Sequence, residues 1–279
     1  MRYHFQKENV SLKDDEKLVE TVHNTTVAGQ HLCYRTAGTG SPVVLLHGYG
    51  TSGYVWQRVL PSLTRQHQVF LLDLPGHGRS RLAGPWRLRE IAPLLACWLR
   101  EMHLFPIALM GHSMGGAIAL HLTAIAPELV ERLILVNSAG MPLNANLPTL
   151  LTRSASSMFQ LGSGGYPLKL LRDTLKPRPR LWWQCAQEMR GSDFRPEIAM
   201  VKVPTLILWG ERDLLLPIHL GQELHQAMPD ATFVSLLQSG HRPMITQPAI
   251  FSQLVLHFLS VSDRNSPDEI GKRHPDFGG

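Results

Sequence analysis

The sequence contains little cysteine, and what it has is not arranged for cross-linking or metal ligation. Cys33, Cys97 and Cys185 are spread over 279 residues, and no Cys-x-x-Cys pair is present. An odd, scattered set of this kind favours neither a disulfide framework nor a thiolate metal site. We therefore expect these cysteines to be buried and to behave as small apolar side chains.

Sequence motifs of phosphate-binding and metal-binding sites are also missing. The segment 73–80 packs two glycines and a proline behind an apolar run, but it has neither the Gly-x-x-x-x-Gly-Lys-Ser/Thr pattern nor Gly-x-Gly-x-x-Gly. We interpret it as a tight turn. No His-Glu-x-x-His motif occurs in the chain. We expect neither a cofactor nor a metal ion.

Long apolar runs and strongly charged tracts are absent as well. No window of about eighteen residues is continuously apolar, and residues 1–20 are polar and charged. The net charge of +5 comes mostly from arginine, without a lysine-rich or RGG-like tract. We expect a soluble, cytoplasmic protein that neither inserts stably into membranes nor binds nucleic acid.

Short apolar runs alternate with helical patterns along the chain. An antiparallel hairpin is expected at the start, and the later runs are nearly continuous in Val, Ile and Leu, as in strands buried on both faces. The predicted strands are 19–27, 31–36, 43–47, 68–73, 105–110, 133–137, 205–209 and 232–237. The predicted helices are 53–63, 91–102, 115–126, 218–228 and 249–259. This order predicts an α/β fold with a mostly parallel central sheet flanked by helices.

One interval interrupts the alternation. Residues 140–201 contain helix-like pieces but no convincing strand, so we interpret them as a small helical cap inserted after the sixth strand. The core then comprises residues 18–139 and 202–260. A polar N-terminal extension, 1–17, precedes it, and a flexible tail, 261–279, follows.

A serine between glycines lies where a predicted strand meets a predicted helix. The residues are Gly111-His112-Ser113-Met114-Gly115. A serine at the tip of so tight a turn takes a strained backbone that lifts its hydroxyl clear of the sheet, and glycines on either side avoid clashes. The pattern is typical of a nucleophile elbow and makes Ser113 the candidate nucleophile.

A serine nucleophile needs a general base and an acid that orients the base. The acid candidate is Asp213, which follows the predicted strand 205–209, and Glu211 is its near competitor. The end of the strand 133–137 is a rival position, but it offers Asn137 and Ser138, which carry no negative charge. Asp213 is therefore the expected acid.

The base candidate is His241. It is the histidine that follows both the candidate acid and the last predicted strand while preceding the closing helix. The order Ser113, Asp213, His241 is the order expected for a nucleophile elbow of this architecture. We predict that these residues form a catalytic triad.

The loop after the first core strand, His47-Gly48-Tyr49-Gly50, is the expected source of oxyanion stabilisation. Acyl transfer needs two backbone N–H donors, one directly after the nucleophile and one from this loop. The candidates for this oxyanion hole are the N–H groups of Met114 and Tyr49. We interpret His47 as a buried residue that fixes the loop.

Taken together, these segments resemble the α/β-hydrolase family, in particular its capped branch of carboxylesterases, C–C bond hydrolases, haloperoxidases and epoxide hydrolases. The resemblance extends from about residue 19 to 260 and rests on segments 46–50, 73–80, 111–116, 210–213 and 240–241. It implies an α/β-hydrolase fold. A serine rather than an aspartate at position 113 argues against epoxide hydrolases and haloalkane dehalogenases.

The triad and the resemblance predict a serine esterase that cleaves small to medium apolar carboxylic esters through an acyl-enzyme. A C–C bond hydrolase of meta-cleavage-product type, or a related lyase, is the alternative. Those enzymes commonly place tryptophan after the histidine, whereas Arg242 and Pro243 follow His241 here. A low-turnover ligand receptor is a minor alternative. The expected partner is a small-molecule ester, and the oligomeric state stays open.

The predicted cap and the elbow supply the candidates for substrate binding. Apolar cap residues could roof a pocket above Ser113. The candidates are His112, Met158, Phe159, Trp182, Trp183 and Arg242.

Overall fold

The computed structural model describes residues 19–142 and 179–261, together with residues 149, 152, 153 and 156. The predicted N-terminal extension, about half of the predicted cap and all but the first residue of the predicted tail lie outside the described residues. The division of the chain into core and cap therefore stays a prediction.

The described residues form one sheet of eight strands. The strands are β1 Thr21–Val27, β2 Gln30–Ala37, β3 Ser41–Leu46, β4 His67–Asp73, β5 Ile107–His112, β6 Val130–Val136, β7 Thr205–Gly210 and β8 Thr232–Leu236. Their spatial order is β1-β2-β4-β3-β5-β6-β7-β8. The β1–β2 and β2–β4 pairs are antiparallel and the other pairs are parallel. The predicted hairpin and the mostly parallel sheet are confirmed.

Helices connect and cover the strands. Within residues 19–142 and 179–261 they are α1 Leu60–Leu63, α2 Leu88–Glu101, α3 Met114–Ile125, α4 Pro179–Gly191, α5 Arg195–Met200, α6 Ile218–Ala227, α7 Pro243–Thr246 and α8 Pro248–Ser260. A helical region that includes α4 and α5 follows β6, as predicted. In the described part of the chain, no helix is long and apolar enough to cross a membrane.

Apolar side chains pack on both faces of the sheet, which explains the continuous apolar runs of the parallel strands. Val43 and Leu45 of β3 belong to the cluster on one face, together with Phe251 of α8. Their neighbours Val44 and Leu46 belong to the cluster on the other face, with α2 and α3. Successive side chains of a strand point to opposite faces, so both sets must be apolar.

The expected burial of the cysteines is only partly correct. Cys33 and Cys185 are buried, but Cys97 is exposed. Cys97 lies on α2, whose buried stripe includes its neighbours Ala96 and Trp98. Because a helix buries one face against the sheet, a residue on its opposite face stays in solvent whatever its hydrophobicity.

The single helix predicted for residues 53–63 is wrong. The chain instead forms a short 3₁₀ turn, Gly53–Trp56, and then the one-turn helix α1. Pro61 lies in the first turn of α1. Its missing N–H and the clash of its ring with the carbonyl four residues earlier prevent a continuous helix.

Candidate active site

The carboxyl ends of neighbouring strands gather the polar residues that the sequence singled out. His47 follows β3, Ser113 follows β5, Asn137 follows β6, Asp213 lies beyond β7 and His241 beyond β8. Each of these five side chains is buried. In a parallel sheet these ends meet at one edge, where ligands commonly bind.

Ser113 has the strained backbone that a nucleophile elbow requires. Its φ of 54° and ψ of −118° lie in a region that L residues rarely adopt. The Ser113 N–H donates to the Val136 carbonyl at 3.0 Å, and the Ser113 carbonyl accepts from the Ala139 N–H at 3.0 Å. Two hydrogen bonds to the chain after β6 thus hold the turn in place.

Close packing requires glycine beside Ser113. A Cβ atom at Gly115 would lie 2.5 Å from the Leu46 carbonyl oxygen and 2.6 Å from the His47 carbonyl oxygen. Those backbone atoms cannot move away without shifting β3. A side chain at this position would therefore separate helix α3 from the loop that carries Tyr49.

His241 and Asp213 form a buried pair. The Nδ1 atom of His241 lies 2.7 Å from Oδ2 of Asp213, and the two residues are 3% and 5% exposed. Oδ1 of the same carboxylate accepts the backbone N–H groups of Leu215, at 2.8 Å, and Leu216, at 2.9 Å. A carboxylate held this way orients an imidazole with Nδ1 protonated and leaves Nε2 to accept a proton.

Glu211 has a different environment from Asp213. It is exposed, and its Oε1 accepts the Ser235 hydroxyl at 2.8 Å. The structure thus brings Asp213, and not Glu211, to the imidazole of His241.

His112 contacts the loop of the candidate base. Its Nε2 donates to the His241 carbonyl at 2.8 Å, and the two rings lie 4.8 Å apart. Burial lowers the pKa of His112 well below its ordinary value, and the nearby His241 and Arg242 lower it further. His112 is therefore neutral with its proton on Nε2, and this candidate for substrate binding supports the His241 loop.

His47 fixes the loop after β3, as the sequence predicted. It is fully buried, its Nε2 accepts the Leu74 N–H at 3.0 Å and its Nδ1 donates to the Gly48 carbonyl at 2.8 Å. These bonds join the loop after β3 to the turn after β4. The backbone around Tyr49 is held by this imidazole.

Another buried histidine in this region, His77, makes folding sensitive to acid. Burial and, to a smaller extent, the neighbouring His47 lower the pKa of His77 from 6.5 to about 3. The unfolded chain therefore binds a proton near pH 6.5 that the folded protein binds only near pH 3. The contribution of neutral His77 to stability is fully present above pH 6.5 and is lost as the pH falls from there toward 3.

We predict that the melting temperature falls between pH 7 and pH 4 less steeply in His77→Gln than in the wild type. The glutamine cannot gain a proton on unfolding, so this position no longer makes stability depend on pH. Calorimetry of both proteins at several pH values measures the two slopes. Equal slopes would show that His77 does not contribute.

Tyr49 connects the loop after β3 to helix α4. Its hydroxyl donates to the Trp182 carbonyl at 3.0 Å, and the two rings meet edge to face at 5.1 Å between centroids. Burial raises the pKa of Tyr49, so the phenol stays protonated and can donate. Trp182 is partly buried by this contact, whereas Trp183 is 53% exposed.

The other candidate site residues differ in where they lie. Arg242 is partly buried directly after His241, and its carbonyl accepts the Ile245 N–H at 3.0 Å as α7 begins. Met158 and Phe159 lie outside the described residues. Met114 is the first residue of α3, a position whose N–H has no acceptor within the helix. No cluster of three potential metal ligands occurs among the described His, Cys, Asp and Glu residues.

Sequence reasoning missed the part played by Asn137. In the sequence it occupies a place where an acid could be expected, but its side chain carries no charge. In the structure its Nδ2 donates to Oδ2 of Asp213 at 2.6 Å. Its position directly after a strand, at the same sheet edge as the other polar residues, was the available signal.

Comparison with known proteins agrees with this architecture. A model of the alpha/beta hydrolase family matches residues 43–254. Pimeloyl-[acyl-carrier protein] methyl ester esterase of Photobacterium profundum is 30% identical over 255 residues, which cover 82% of this chain and 98% of that protein.

Solved structures share the fold over most of the chain. Bromoperoxidase from Bacillus anthracis has a TM-score of 0.78 at 23% identity and covers 86% of this chain and 100% of its own. A thermophilic esterase from Thermogutta terrifontis has a TM-score of 0.72 at 23% identity, with coverages of 86% and 98%. At a sequence identity of 23%, these two structures show a shared fold and nothing more. Together with the family match, they establish that the chain belongs to the alpha/beta hydrolase family.

Proposed function

We propose that this protein is a serine-dependent carboxylic ester hydrolase that cleaves small to medium apolar esters through an acyl-enzyme. The observation that carries the proposal is the buried His241–Asp213 pair, with 2.7 Å between Nδ1 and Oδ2, at the sheet edge that also carries the strained Ser113. The esterase relative at 30% identity supports the same reaction class.

In the first half of the reaction, Ser113 attacks the ester carbonyl and His241 takes the hydroxyl proton at Nε2. Asp213 holds the Nδ1–H and stabilises the imidazolium as it forms. The negative charge that develops on the carbonyl oxygen is met by the N–H groups of Met114 and Tyr49. His241 then gives its proton to the leaving alcohol, and the acyl group stays on Ser113.

In the second half, water replaces the alcohol. His241 removes a proton from water, the hydroxide attacks the acyl carbonyl, and the same two N–H groups stabilise the second oxyanion. The proton returns to the Ser113 oxygen as the bond to the acyl group breaks. The products are an alcohol and a carboxylic acid, and the enzyme returns to its starting state.

The surroundings of the site support an apolar substrate. Tyr49 and Trp182 place aromatic rings beside the loop that would hold the oxyanion. Leu181 of α4 is buried against Gly76 in the turn after β4. Apolar walls with few polar groups are typical of sites for small apolar ligands. Such walls favour an apolar acyl chain.

The experiment is a panel of p-nitrophenyl esters from acetate to palmitate, assayed beside a vinylogous diketone that C–C bond hydrolases cleave. We predict that kcat/KM is highest for a short or medium acyl chain and falls for the longest ones, with no cleavage of the diketone. Ser113→Ala provides the blank for spontaneous hydrolysis. Faster cleavage of the diketone than of any ester would replace this proposal with C–C bond hydrolysis.

A further inference from the structure

Asn137 has an unusual backbone for a buried residue that is not glycine. It follows β6 directly, is fully buried and has a φ of 40°. Left-handed backbone is costly for most L residues, and asparagine is among those that tolerate it best. The Asn137 N–H donates to the Leu208 carbonyl at 2.9 Å. The conformation is therefore fixed by the neighbouring strand β7.

The side-chain amide of Asn137 has a fixed orientation. Its Oδ1 accepts the Gly210 N–H at 3.2 Å, so its Nδ2 points the other way, to Oδ2 of Asp213 at 2.6 Å. If the amide were rotated, its NH₂ would face the Gly210 N–H, and two donors would oppose each other. The backbone of β7 thus sets which end of Asn137 faces Asp213.

The Asp213 oxygen that Asn137 contacts is the one that His241 uses. Oδ2 receives both the Asn137 amide and the His241 Nδ1–H, while Oδ1 receives two backbone N–H groups. With all four donors in place, the carboxylate cannot rotate without breaking several hydrogen bonds. Hydrogen bonds to a buried charge are among the stronger ones in proteins.

We propose that Asn137 is a positioning residue that holds Oδ2 of Asp213 toward His241 through the hydrogen bond donated by its side-chain amide. This inference rests on the proposed function, in which Asp213 orients the base. Asn137 occupies the place after β6 where an acid could have been located, and it uses that place to fix the acid after β7.

Two variants test the hydrogen bond that the Asn137 amide donates to Asp213. Asn137→Gly accepts the left-handed backbone without strain and removes the amide, so we expect kcat/KM to fall about 10- to 100-fold at every pH, as for other groups that orient an active-site residue. Asn137→Asp keeps the size and shape of the side chain and an acceptor for the Gly210 N–H.

In Asn137→Asp the donor depends on pH. Two carboxyl groups this close hold one proton between them, so at low pH the new side chain donates an O–H to Asp213, as the amide does. When that proton is lost, the two carboxylates repel each other and Asp213 is displaced. Among the described contacts, the titratable side chain that touches Asp213 is His241; His112 lies against His241, and Arg242 acts on His112. The substitution leaves these three residues unchanged.

The measurement is the ratio of kcat/KM for Asn137→Asp to that of the wild type between pH 5.5 and 8.5. We expect the ratio to fall about tenfold or more as the pH rises. Asn24→Asp, which adds the same charge at an exposed position of β1, is the matched control, and its ratio should stay constant. Thermal unfolding confirms that each variant is folded.

A constant ratio for Asn137→Asp would overturn the inference, because the hydrogen bond to Asp213 would then be lost at high pH without any effect on activity. An Asn137→Gly variant within about twofold of wild type would overturn it as well. Ser113→Ala is assayed in the same series. If Ser113→Ala stays active, the proposed function fails; if only the two tests of Asn137 fail, the proposed function stands without this positioning role.

Discussion

Replacing Ser113 with alanine is expected to lower kcat for p-nitrophenyl butyrate by roughly 10⁴- to 10⁶-fold. The hydroxyl is the group at the tip of the β5–α3 turn that could form the acyl-enzyme. Because alanine is smaller and removes no buried charge, the turn should keep its geometry. The same variant should no longer react with a fluorophosphonate probe.

Ser252→Ala is a suitable control for that experiment. Ser252 is also buried, and its hydroxyl has no hydrogen-bond partner among the described residues. It lies within helix α8 and not in one of the loops that follow the carboxyl ends of the strands. The control should retain turnover and labelling close to the wild type. Loss of activity in Ser252→Ala as well would point to a general effect of packing, and activity in Ser113→Ala would remove the proposed nucleophile.

Asp213→Asn should cost about 10⁴-fold in kcat. The two backbone N–H groups at Leu215 and Leu216 require an acceptor, so the amide oxygen takes the place of Oδ1 and the NH₂ takes the place of Oδ2. That NH₂ then faces His241 as a donor. Nδ1 must accept, the proton moves to Nε2, and His241 can no longer take the proton of Ser113.

Glu211→Gln is the matched control for the loss of a carboxylate in the same loop. Glu211 is exposed and accepts only the Ser235 hydroxyl among the described contacts, and a glutamine oxygen can accept it equally well. We expect activity within about twofold of the wild type. If Glu211→Gln were the inactive variant and Asp213→Asn the active one, the assignment of the acid would be reversed.

The fold was largely predictable because the strands are buried on two sides. Continuous apolar runs such as 43–47 and 133–137 follow directly from packing on both faces, and each one is a strand in the structure within a few residues. The strand predicted for 105–110 begins only at Ile107, because Pro106 has no backbone N–H to donate to a neighbouring strand. The prediction of one helix over 53–63 was wrong for a related reason, because Pro61 prevents a continuous helix.

The candidate site was predictable as a set of positions and less so as a set of contacts. Ser113, Asp213 and His241 each follow a strand, and the topology of a parallel sheet brings such residues to one edge. The partner of Asp213 depends on how the segments after β6 and β7 converge. No spacing along the chain encodes that Asn137 turns its amide toward Asp213 or that His112 reaches the His241 carbonyl.

The central claim is that Ser113 is the nucleophile, and mass spectrometry of the protein after phosphonylation by a fluorophosphonate probe tests it most directly. We predict one adduct per chain, on the peptide that contains Ser113, formed in the wild type and strongly slowed in Asp213→Asn. An adduct on another residue, or an unmodified Ser113 in protein that still hydrolyses esters, would contradict the account.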